Sequence, residues 1–307
     1  RIRVNDTCIS LDDWERIYDQ YEELFSLHKM TMFEMDLWMS LAYFIEQKVD
    51  YCIIEAGMGG RLDATTALDY KTCLITNVGL DHTEYLGDTF EQIAYEKSGI
   101  FKPNVPALTT EDKPECQKVM ELVADYMKTP LCFIDCQETD VLRWNGMTFH
   151  LNPPLYQAKN LSLALETLNV LGIWLEENEI QEVIDHFRWA GRYMVLRKDP
   201  LVLLDGAHNV HGITALTHSL KNFTGKIYFS VLKEKDAPHM IELLQSISED
   251  ITLVEISSAR LYPLEKLGYP IITVDELISR LLDTKEDSLL CGSLYYVGEV
   301  LEKWGNV

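Results

Sequence analysis

The sequence predicts an α/β protein of two domains, each built on a mostly parallel sheet. Short apolar runs alternate with segments of helical period along most of the chain, the pattern of parallel strands joined by helical crossovers. Two of those runs lead into a carboxylate and then glycine, and strand ends of that kind face the ligand in open α/β sheets. The alternation restarts after Arg188-Trp-Ala-Gly-Arg192, which puts the boundary near Phe187–Arg192 and the domains at residues 1–187 and 188–307.

The elements follow in order. Leu11–Leu27 and Thr31–Gln47 have helical period, and Thr31 with Glu34 forms a capping box. Strands are expected at 51–55, 72–78, 105–110 and 130–135, with helices at 89–99 and 113–127. Residues 140–151 read as a hairpin turning at Asn145-Gly146. Helices follow at 157–171 and 177–187. The second half gives strands at 201–205, 226–232, 251–257, 271–274 and 288–292, with helices at 211–221, 237–247, 275–283 and 294–304.

Composition narrows the function. The 307 residues are 47% hydrophobic and 25% charged, which excludes a disordered chain. Asp and Glu number 49 against 27 Lys and Arg, so the net charge of −22 argues against nucleic acid or an anionic membrane as partner. A small anionic ligand in a locally basic site remains compatible. The seven cysteines include no C-x-x-C pair. Cys52, Cys73, Cys132 and Cys291 lie in apolar strand-like runs and read as buried thiols of a cytoplasmic, reducing compartment. No apolar run approaches the ~20 residues that span a bilayer, and no signal peptide is visible. The chain opens on Arg1-Ile-Arg-Val-Asn5 rather than on Met, as if within a longer sequence.

Four stretches carry chemistry. In Tyr51-Cys-Ile-Ile-Glu55-Ala-Gly-Met-Gly-Gly-Arg-Leu-Asp63 an apolar run ends in Glu55, and three glycines follow. This suits a metal or phosphate position; it also suits a tight turn. A dinucleotide fingerprint is excluded, because Leu62 stands where a small residue is needed. In the second stretch Asn77, Asp81, His82 and Glu84 crowd the end of the next strand. With Glu55, His82 could complete a Mg²⁺ site, since that ion takes few protein ligands beside phosphate and water; a loop held by Asx turns is the alternative. Lys97, in the third, sits in the last turn of a helix and by itself reads as a solvated partner of the helix dipole. The fourth, Leu201-Val-Leu-Leu-Asp205-Gly-Ala-His208-Asn209, is another strand ending in a carboxylate, with Arg192 just before it. Asp205 for a ribose, and His208 and Arg192 for phosphates, would make a nucleotide clamp; a helix cap with a surface histidine is the plainer reading.

In order, Arg1-Ile-Arg-Val-Asn5, Glu55–Thr66, Gly79–Thr89, Glu96–Lys102, Gln157-Ala-Lys-Asn160, Gly191-Arg192, Asp205–Asn209 and Gly292-Ser-Leu-Tyr295 closely resemble folylpolyglutamate synthase/dihydrofolate synthase, within the Mur ligase superfamily. The resemblance is colinear over nearly the whole chain. It implies an N-terminal P-loop-NTPase-like domain, the Mur ligase central domain, and a C-terminal Rossmann-like domain. It implies an ATP-dependent ligase that adds L-glutamate to folate, with dihydropteroate as a further acceptor, through an acyl phosphate. ATP and Mg²⁺ are the implied cofactors, and a monomer is expected. By the same resemblance Glu55 and His82 are metal ligands and Lys97 is a carbamylated lysine facing the metal. His82 and Lys97 thus count as catalytic; Asn160, Arg192, Asp205 and His208 are ATP contacts. The family's P-loop and its strand would precede Arg1; no Gly-Lys-Ser/Thr loop occurs within the 307 residues. The segment at 149–157 is also shorter than the family's usual hairpin. A non-catalytic folate- or nucleotide-binding protein and a Mur-type ligase of UDP-linked sugars are the competing functions.

Overall fold

The computed structural model describes residues 2–305; Arg1, where the resemblance begins, lies outside them. The chain folds into two units, one formed by the residues up to Val78 with His82–Phe133, the other by Gly79–Asp81 with Ile134 onward.

In the first unit β1 (Arg3–Val4) and β2 (Thr7–Cys8) pair as an antiparallel ribbon. Helix α1 (Leu11–His28) is capped by Ser10, which accepts the Asp13 N–H, and helix α2 (Met32–Gln47) starts at the expected capping box of Thr31 and Glu34. They close on Ile17, Phe25, Met39 and Tyr43. Next come β3 (Cys73–Ile75), α3 (Thr83–Leu86), α4 (Phe90–Ser98), β4 (Ala107–Thr109), α5 (Pro114–Met127) and β5 (Leu131–Phe133). The three strands form a parallel sheet in the order β3–β4–β5. Its core joins Ile75, Val78, Ile93, Phe101 and Met120.

The strand expected at 51–55 is not formed. A strand persists where its N–H and C=O groups meet a neighbouring ladder, and among the described residues none pairs with this run. Ile53 is 94% exposed as a result, and Glu55 follows an irregular segment rather than a sheet strand. The cysteine reading changes with it. Cys73, Cys116 and Cys291 are buried, but Cys52 and Cys132 are exposed, the first on the unpaired run and the second on the outward side of β5.

The second unit begins with the expected hairpin, β6 (Val141–Trp144) and β7 (Met147–His150). Asn145 and Gly146 turn it with φ of +47° and +83°, the left-handed pair that a two-residue hairpin demands. Helices α6 (Gln157–Val170) and α7 (Glu177–His186) close on it around Leu142, Phe149, Leu165 and Ile180. The Leu155 N–H donates to Ser219 Oγ at 3.1 Å. Residues 134–187 thus go with the C-terminal half, and the compact units part at Phe133 where the sequence puts a boundary at Phe187–Arg192.

The remaining elements are β8 (Met194–Lys198), β9 (Leu201–Leu204), α8 (Val210–Ser219), β10 (Lys226–Phe229), α9 (Ala237–Gln245), β11 (Ile251–Glu255), β12 (Ile271–Thr273), α10 (Val274–Asp283), β13 (Ser288–Cys291) and α11 (Leu294–Trp304). The sheet order is β12–β11–β10–β13–β9–β8. Only β8 is antiparallel; it is also the strand that the sequence does not announce, a half-exposed edge ending Arg197-Lys198. Leu203, Phe229, Leu253 and Cys291 pack toward α8 and α9. Their neighbours Leu204, Tyr228, Val254 and Leu290 pack toward α10 and α11. Adjacent strands β9 and β13 therefore send their helices to opposite faces. The crevice beyond their C-terminal ends is a topological switch point, where open α/β sheets bind ligands.

Gly292, at the end of β13, has φ of +115°, and a Cβ there would stand 2.2 Å from the Ser230 carbonyl oxygen. Gly292→Ala should lower stability by about 2 kcal/mol or more, read from the urea midpoint at unchanged slope.

Candidate functional site

In the first unit the glycine loop is a packing device. The Asp63 carboxylate accepts the N–H groups of Gly57 (2.8 Å), Met58 (3.0 Å) and Thr65 (3.0 Å). Arg61 meets Glu96 through two nitrogens, Nε and Nη2, and its N–H donates to the Glu96 carbonyl at 2.8 Å. A Cβ on Gly60 would stand 2.8 Å from the Lys97 carbonyl oxygen, and one on Gly99 would stand 2.2 Å from Arg61 Cα. A Cβ on Gly59 would meet Leu86 of α3 at 2.8 Å. An exposed ion pair contributes at most about 1 kcal/mol, so the two backbones touching at Gly60 and Gly99 decide this arrangement.

The loop thus packs against the helices that carry His82 and Lys97. Glu55 stands two residues before Gly57, exposed. His82 is the N-cap of α3, exposed, in the left-handed region at φ +52°. Lys97 lies half-buried in the last turn of α4. Among the described residues no three His, Cys, Asp or Glu side chains converge as a metal cage. Glu55 and His82 together offer a hard oxygen and an imidazole, a set that suits a divalent ion completed by phosphate oxygens and water.

In the second unit Arg192 and His208 stand close to Asp205, which is 3% exposed. One carboxylate oxygen accepts the Tyr193 N–H and the other the Ala207 N–H, both at 2.7 Å. Those amides adjoin Arg192 and His208. Burial raises the Asp205 pKa, while the two amides, Arg192 and His208 pull it down. A Cβ on Gly206 would meet Arg192 Nη1 at 2.9 Å, so the exposed guanidinium lies over bare backbone. Tyr156 feels the charges of Asp205 and Arg192, and burial holds its hydroxyl well above the usual phenol range. It is the N-cap of α6, whose first turn carries Asn160, exposed and donating to Gln157 Oε1 at 3.0 Å. Asp81 belongs to this unit: its carboxylate accepts from Lys235 Nζ at 2.6 Å and Asn209 Nδ2 at 2.8 Å.

The Mur ligase middle domain family matches residues 16–151. A dihydrofolate synthase/folylpolyglutamate synthase of Buchnera aphidicola subsp. Acyrthosiphon pisum is 31% identical over 98% of this chain and 78% of its own length. The chain belongs to the dihydrofolate synthase/folylpolyglutamate synthase family. The Bacillus subtilis member is 28% identical over 99% of this chain and 80% of its own. Among solved structures, Escherichia coli FolC in complex with DHPP and ADP superposes with a TM-score of 0.86 at 26% identity, covering 99% of this chain and 78% of that one. A bifunctional folylpolyglutamate synthase/dihydrofolate synthase with Mn, AMPPNP and L-glutamate bound gives 0.87 at 25% identity, over 99% and 79%.

Three residues matter that carry no sequence-assigned role. Arg61 and Asp63 lie inside the glycine motif and lock it. Glu111 follows β4 as Asp205 follows β9, a strand-end carboxylate that could have been read by analogy. Asp81 was legible as a polar ligand, but its partner Lys235 lies 154 residues away and had no local signal.

His208 Nδ1 lies 2.8 Å from the Gly206 carbonyl oxygen, so the neutral ring donates there and leaves Nε2 as an acceptor. Burial pushes its pKa below 6.5, helped by Lys235 and Arg192 and opposed by the Gly206 bond and Asp81. A folded pKa below the unfolded one means that the group's stability contribution is present above pH 6.5 and lost as pH falls through the folded value. His208 should titrate below 6.5 by imidazole NMR, and His208→Gln should remove part of the stability loss below that pH.

Proposed function

We propose that this chain is an ATP-dependent amide ligase that joins L-glutamate to a folate-type carboxylate, tetrahydrofolate or its polyglutamates, with dihydropteroate as a further acceptor. Membership of a family whose structures hold DHPP, ADP, AMPPNP, Mn and L-glutamate carries this reading. A carboxylate oxygen attacks the γ-phosphorus of ATP and ADP leaves; the glutamate amine then attacks the acyl carbon, and phosphate leaves as the amine gives up a proton. Bringing two anions together is the main barrier, so positive charge and aimed donors lower it.

Glu55 and His82 would hold a divalent ion, Mg²⁺ on this reading, which when bound supplies charge neutralisation at the γ-phosphate. Lys97, as a carbamate, would present a carboxylate beside it. Arg192 and His208 would meet the nucleotide phosphates, His208 donating from Nε2 when its ring is protonated. Asp205 would reach the ribose with the lone pairs its two amide bonds leave, and Asn160 would serve the adenine side. Seven free thiols fit a reducing, cytoplasmic compartment. Among the described residues no helix is long and apolar enough to cross a membrane. A monomer remains our expectation.

Acceptor-dependent ADP release tests the reading, with tetrahydrofolate, dihydropteroate and a UDP-linked sugar acid compared in the presence of glutamate. Turnover with the UDP-linked acceptor alone, or with none, would overturn it. Glu55→Ala should cut turnover by about 100-fold or more while the fold survives. Lys97→Arg keeps the charge but cannot form a carbamate, so it should be inactive; an active Lys97→Arg enzyme would return Lys97 to a plain helix-end lysine.

A further inference from the structure

We infer that Glu111, acting with Lys113, is a positioning residue that sets where His82 stands. The inference rests on the role given to His82 above, and Glu111 itself touches none of the reacting groups. Glu111 follows β4 and is 2% exposed. Its Oε2 accepts the N–H of Val78, and its Oε1 accepts the N–H and Nζ of Lys113 at 2.9 and 3.2 Å. Lys113 Nζ also donates to the Val78 carbonyl at 3.0 Å. One ion pair therefore holds both backbone groups of Val78, which is fully buried four residues before His82.

The clamp is itself braced. The Glu111 N–H donates to Thr109 Oγ1 at 3.0 Å, and Gln117 Nε2 donates to the Glu111 carbonyl at 2.8 Å. Lys113 Nζ lies 5.4 Å from the centre of the Phe90 ring. At the far end of the loop Gln92 Oε1 accepts the N–H groups of Asp88 and Thr89, at 2.8 and 3.2 Å. Between the anchors His82 stands in the left-handed region at φ +52°, ψ +37°, and Asp81 just before it carries its own bonds from Lys235 and Asn209. A residue with a Cβ pays about 1–2 kcal/mol for that conformation, and it persists where its surroundings over-determine it. Burying a carboxylate costs several kcal/mol unless its oxygens are bonded; three donors here offset that cost, and the loop gains a fixed origin.

Glu111→Gln keeps the shape but turns an N–H toward one of the donors. In the protein without added metal, amides of residues 79–87 should exchange hydrogen about 10-fold faster or more, with the C-terminal half of α5 unchanged. With substrates, the concentration of Mg²⁺ for half-maximal rate should rise by a similar factor while KM for glutamate stays put. Lys113→Met removes the carbonyl half of the clamp and serves if the first variant does not fold. Unchanged exchange at 79–87 in the folded variant overturns the inference, and so does faster exchange with an unchanged Mg²⁺ requirement. His82→Ala separates the two readings: full activity in that variant would remove His82 from the site, while the exchange data would still decide whether Glu111 holds the loop.

Discussion

A carboxylate that accepts backbone N–H groups fixes three of the loops on which the candidate chemistry stands. Beyond a strand's last ladder bond the chain still carries amides that need acceptors. Asp63 takes three of them in the glycine loop. Glu111 takes those of Val78 and Lys113. Asp205 takes those of Tyr193 and Ala207. Hydrogen bonds to a charged acceptor contribute about 1.5–3 kcal/mol each, enough to hold loops that no sheet constrains.

Each arrangement leaves a different side chain facing outward. Around Asp205 the bonded amides adjoin Arg192 and His208, so one buried group orients a cation and a neutral imidazole. Strain accompanies it: Gly191 and Tyr193 both have positive φ, at +72° and +44°. Tyrosine enters that region only under constraint, and its N–H is the one bound by Asp205. Around Glu111 the held residue is Val78, and the dependent side chain is His82.

The glycine loop of the first unit shows how a ligand-like sequence acquires another physical meaning. Gly60 and Gly99 let two backbones touch, and Gly59 admits Leu86 of α3. Their smallness makes room for protein. This contact ties the segment after Glu55 to the helices of His82 and Lys97.

The order of elements was legible because their signals are local. The Thr31–Glu34 capping box, the Asn145-Gly146 turn and the continuous apolar runs of the C-terminal sheet depend on neighbours within a few residues. Seven of the eight motifs behind the family resemblance, and all seven candidate residues, lie among the described residues; the first motif opens on Arg1, outside them. What the sequence could not decide is pairing at a distance. Tyr51–Ile54 has the composition of a strand, yet no ladder reaches it among the described residues. Residues 134–187 look continuous with what precedes them, but their own core and the Leu155–Ser219 bond place them in the second unit. Whether a carboxylate serves a ligand or a backbone amide is settled by which N–H groups the fold carries to it. Local chemistry along the chain therefore names the candidates, and tertiary structure assigns the partners, because hydrogen-bond geometry depends on separation in space and not along the sequence.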